Sequence, residues 1–169
     1  MIKSVSFASV LATLILFIQT TWFKHGIIAA ATPDFALLLI LWMSFSNKNI
    51  EGLLSAFVIG LASDFLSSSP LGFHIFLYIV PAYLAVLIRT SIFIDKILIP
   101  IAAAFIATIL KAILSILLAR IFGKDAIIAY SFGNIGFWIE GLMNMLLAPP
   151  LFWAFPKAGK VLITRSHTE

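Results

Sequence analysis

Cysteine is absent from this 169-residue chain, which excludes disulfides, thiolate metal ligands and thiol nucleophiles. Charge is scarce: Asp, Glu, Lys and Arg together supply 11% of the residues. The three histidines, His25, His74 and His167, are too scattered for zinc-ligand spacing, and nothing in the pattern implies a metal or another cofactor. Long polar connections are also missing, so little sequence is left over for a soluble domain.

What is present is hydrophobic, at 62% of the residues. Apolar runs cover about residues 4–23, 27–46, 50–68, 71–89, 97–121 and 133–155. Each approaches the ~20 residues a helix needs to cross ~30 Å of hydrocarbon. They are apolar around their circumference rather than along one stripe, as helices in lipid are. The expected fold is all-α and polytopic, a single integral membrane domain over residues 1–169 with six transmembrane helices. The formal charge of +4 comes from basic residues standing singly between runs, so nucleic acid is not an expected partner.

The first run follows Lys3 and precedes Ala29-Ala30-Ala31, which resembles a signal peptide. The run is longer than a typical signal core, and Lys24-His25 intervene before the alanines, so an uncleaved first helix is expected. Lys3, Lys48, Arg89, Lys96, Lys157, Lys160 and Arg165 fall on one side of six helices. Lys24, Arg120 and Lys124 fall on the other, and Lys111 lies inside a span. Seven against three predicts that both termini are cytoplasmic. Trp22, Trp42, Trp138 and Trp153 lie near span ends, as interfacial aromatics do.

The second span is irregular. Thr32-Pro33-Asp34 reads as an N-cap, a proline at the first helical position and an acid favoured by the helix dipole. Pro81 and Pro100 predict local bends. Gly52, Ala56 and Gly60 form a small-residue ridge suited to close helix packing or to a partner contact. Residues Ser67 to Gly72, including Pro70 and Leu71, read as a tight turn in which Gly72 relieves the backbone.

Asp34, Asp64, His74, Lys111 and Glu140 are ionisable residues at or within spans, and the predicted topology brings all five to the outer half of the membrane. Gly136, Glu140, Asn144 and Ala148 share a stripe of the last span; Thr108, Lys111 and Ser115 share one on the span before it. His74 aligns with Tyr78. A charge at such depth costs at least a few kcal/mol alone, so Lys111 is expected to pair with Glu140, Asp64 or both. The cluster reads either as a polar clasp ordering the bundle or as a pocket, proton path or lipid-headgroup site. Catalysis fits poorly. Lys111 and Ser115 stand one turn apart without an oxyanion-hole loop, and Gly60-Leu61-Ala62-Ser63-Asp64 lacks the second glycine of the GxGD aspartyl-protease motif.

Several segments carry a family resemblance. They are Glu51-Gly52-Leu53-Leu54; Gly60 to Asp64; Ser67-Ser68-Ser69-Pro70-Leu71-Gly72-Phe73-His74; and Tyr83-Leu84. To these add Pro33-Asp34 with Leu37-Leu38-Leu39, and Glu140-Gly141-Leu142-Met143-Asn144 followed by Ala148-Pro149-Pro150-Leu151. In this order and spacing the chain resembles the rod shape-determining membrane protein family MreD. The resemblance implies a non-enzymatic scaffold of the cell-wall elongation complex in the bacterial inner membrane. It also implies a helix arrangement like the substrate-binding S-components of ECF transporters. MreC is the partner implied directly, with MreB, RodA and a transpeptidase in the same complex, and membrane lipids around it. The short loops offer MreB little surface, so contact through MreC or the membrane is expected. The alternative is a small-molecule-binding subunit of a transporter.

Overall fold

The computed structural model describes residues 31–46, 49–67, 69–89, 97–122 and 132–165. Among these residues the protein is all-α, with five helices. They are α1 (Phe35–Ser46), α2 (Asn49–Leu66), α3 (Phe73–Ile88), α4 (Leu98–Phe122) and α5 (Ile135–Arg165). They correspond to the second through sixth apolar runs. The first run, with Lys3, Trp22 and Lys24, lies outside the described residues, as does most of the connection between α4 and α5.

The shortest helix is the centre of the bundle. α1 packs against all four others, and its residues from Ala36 to Ser44 are buried without exception. A helix this apolar on every face must be surrounded, and here protein surrounds it. Trp42 is therefore a core residue, with its ring centroid 5.5 Å from that of Phe155, and not the interfacial anchor its position suggests. Trp138 and Trp153 are exposed on α5.

Glycines allow the close approach of α2 to its neighbours. A Cβ on Gly52 would stand 2.7 Å from Ser44 Cα of α1, and one on Gly60 would stand 2.5 Å from Ile75 Cα of α3. Eight residues turn a helix by about 80° beyond two full circles at 3.6 residues per turn, so the two glycines serve two different neighbours. Ala56 between them is fully buried.

The start of α1 differs from the sequence reading. The helix begins at Phe35, and Asp34 is its N-cap: Leu37 N donates to Asp34 Oδ1 at 2.9 Å, and Leu38 N to Asp34 O at 3.1 Å. Neither Thr32 nor Pro33 fills the cap and first-turn positions expected of them, because the acid itself satisfies the orphan donor. Pro100 falls in the first turn of α4, where the missing N–H has no helical acceptor to lose; Pro81 lies inside α3.

Among the described residues two helices, over Leu98–Ile121 and Ile135–Lys157, are long and apolar enough to cross a membrane. Their outward side chains, including Ile106, Ile113, Leu117, Leu142 and Leu146, are large, apolar and exposed. Water would penalise so much uncovered apolar surface, whereas lipid would not.

Candidate functional site

Helix lengths bring the polar residues to one height. Asp34 caps a helix of 12 residues, about 18 Å long at 1.5 Å per residue. Lys111 stands thirteen residues into the antiparallel α4, about 20 Å from its start. The two side chains consequently meet deep in the bundle rather than near the surface. Lys111 Nζ donates to Asp34 Oδ2 at 2.5 Å and to Glu140 Oε1 at 3.1 Å.

Further bonds strengthen this contact and draw in α3. Asp34 N donates to Asn144 Oδ1 at 2.8 Å, and Asn144 Nδ2 donates to Thr108 Oγ1 at 3.0 Å. A backbone N–H can only donate, so the Asn144 amide has one permitted orientation. The Thr108 hydroxyl in turn donates a hydrogen bond to Ala104 O at 2.8 Å. Tyr78 Oη on α3 donates towards the Asp34 carboxylate at 3.4 Å. One buried network thereby ties α1, α3, α4 and α5 together. Its two carboxylates share one ammonium, and Asp34 stands at the N-terminal end of α1. Ser115 takes no part, because its hydroxyl donates to Ala112 O at 2.9 Å; no Ser–Lys dyad forms.

Asp64 corrects the expected pairing. It does not meet Lys111; its carboxylate turns instead to the start of α3. Gly72 N donates to Asp64 Oδ2 at 2.8 Å, and His74 N donates to Asp64 Oδ1 at 2.7 Å. The residue at the N-cap position of α3 is Gly72, which has no side chain and sits at φ 92°, so a carboxylate from the preceding helix caps in its place. His74 Nδ1 lies 2.9 Å from Asp64 Oδ1 and 3.4 Å from Ser67 Oγ. Within the turn, Phe73 N donates to Pro70 O at 3.1 Å, and Leu71 projects outward.

The five ionisable residues thus form two groups, Asp34–Lys111–Glu140 and Asp64–His74. Tyr78 stands between them, its ring centroid 6.3 Å from that of His74. The sequence reading left Tyr78 out of the cluster, although its four-residue spacing from His74 was the available signal.

Residues 1–157 match the family model of the rod shape-determining protein MreD. The chain belongs to the MreD family. That family is one of membrane proteins of the shape-determining system, in keeping with the two apolar helices long enough to span. The match covers every residue of both polar groups. Comparisons with curated proteins and with solved structures return no match.

Proposed function

We propose that this protein is a non-enzymatic scaffold subunit of the bacterial cell-wall elongation complex, acting with MreC to maintain rod shape. Family membership over residues 1–157 carries the reading. In it, residues 1–169 form one multi-pass domain of the inner membrane, with six spans, both termini cytoplasmic and an S-component-like bundle. MreC binds the outer half of the helices and the Pro70-Leu71-Gly72 turn. MreB, RodA and the transpeptidase belong to the same assembly.

The polar groups support a clasp more than a ligand pocket or a transporter subunit. Asp34, Lys111, Glu140 and Asn144 are joined by hydrogen bonds between helices, which is how a bundle orders helices that lipid alone would not hold in register. Depletion tests the function: rod cells should become round, and tagged protein should retain MreC on purification. Cells that keep their shape after depletion would refute the reading.

A further inference from the structure

A groove opens between α3 and α4 with α1 as its floor. It encloses about 180 Å³ and has no polar lining. Leu41 and Phe45 form the floor, Pro81 and Ala85 one wall, Ala103 and Ala107 the other. The alanines explain why it exists, since their side chains are too short to close the space between the helices. An apolar cavity of about 150 Å³ already admits a benzene ring in place of water.

Its length and depth match one leaflet. The lining on α4 runs from Ile99 to Leu110, eleven helical steps, or about 16 Å at 1.5 Å per residue. That is roughly half of a ~30 Å hydrocarbon core. The groove begins where α1 and α3 end and α4 begins, and it stops near mid-bundle. A cation stands where the groove begins: Arg89 follows the lining residue Ile88, and its Nη1 donates to Ser44 O at 3.4 Å, next to the lining residue Phe45.

We infer that this groove is a binding site for one anionic phospholipid, with an acyl chain between α3 and α4 and its phosphate at Arg89. The apolar lining selects a chain, the length selects a single leaflet, and the guanidinium selects a negative headgroup. Assignment to the cytoplasmic leaflet rests on the orientation proposed above. The lipid site itself does not depend on that orientation.

The test uses the full-length protein, purified in mild detergent, stripped of lipid and titrated with palmitoyl-oleoyl phosphatidylglycerol or phosphatidylcholine under native mass spectrometry. One tightly bound phosphatidylglycerol per chain is expected. Ala103→Trp, which fills the groove, should weaken it by about tenfold or more, and Arg89→Gln should lower the preference for phosphatidylglycerol by about fivefold. Leu142→Trp on the exposed face of α5 should change neither. Equal binding by all three variants and the wild type overturns the proposal. A photo-crosslinker at Ala103 in intact membranes supplies a reading independent of variant stability. Adducts with phospholipid support the site, whereas adducts with residues 1–30, a second copy or another protein assign the groove to that occupant and overturn it. Cells that keep their shape after depletion would leave these outcomes untouched, so the two readings fail separately.

Discussion

Lys111→Met removes the cation that Asp34 and Glu140 share, leaving two carboxylates facing each other in the bundle. Side-chain exposure is 6% for Lys111 and 6% for Asp34, so water can compensate little. Breaking a buried pair by deleting one partner costs about 3–5 kcal/mol. At about 1.4 kcal/mol per tenfold, that is roughly two to three and a half orders of magnitude in the folding equilibrium. The other members of the network rank below it. Asp34→Asn keeps a side-chain oxygen for Leu37 N, so it removes charge without removing the cap, and Lys111 retains Glu140. Asp34→Ala should cost about 1 kcal/mol more than Asp34→Asn, because the cap is lost as well. Glu140→Gln should be mildest, since the Glu140 carboxylate stands farther from Lys111 and is 13% exposed. Combining Lys111→Met with Asp34→Asn should recover part of the loss, leaving only the better-solvated acid. Unfolding free energies by steric trapping in bicelles would establish the order. A Lys111→Met protein as stable as wild type, or one more stable than Glu140→Gln, would refute the clasp.

Gly60→Ala should prevent normal assembly of the α2–α3 pair, because its Cβ would stand 2.5 Å from the Ile75 backbone; trypsin sensitivity in membranes reports it. Gly72→Ala meets no neighbour but holds φ at 92°, so it should cost only about 1–2 kcal/mol, read as a lower melting temperature in detergent. Asp64→Ala leaves the Gly72 and His74 amides without their carboxylate and should destabilise by about 2–4 kcal/mol, with Asp64→Asn less severe; hydrogen exchange at the start of α3 should accelerate. Reporters active only in the periplasm should work when fused near Ser68 and fail after Phe45 and after Glu169. Activity at the C-terminal fusion would overturn the proposed orientation.

Apolar length was enough to place α2, α3 and α4 within a few residues of both ends, whereas α1 begins eight residues later than its apolar run, at Phe35. The α5 helix is the exception at its far end, running to Arg165 through Pro149, Pro150 and Pro156. The Asp64–His74 contact was legible too, since ten residues and one tight turn separate the partners. Lys111 is different. Its acceptors lie 77 and 29 residues away: Glu140, mid-span with Asn144 on the same face, was an expected partner, but nothing in the spacing pointed to Asp34. Helical periodicity assigns a residue to a face of its own helix, but not that face to a neighbour. The depth of Asp34 followed from a helix that starts only after Pro33, and the burial of Trp42 followed from enclosure of α1 on every side. The α3–α4 groove was equally hidden, being the space that small side chains on two separate helices leave when they pack over a third. The helices and their polar residues are local properties of the chain; which acid meets Lys111, and where the bundle stays open, depend on helix rotation and depth set by packing the whole.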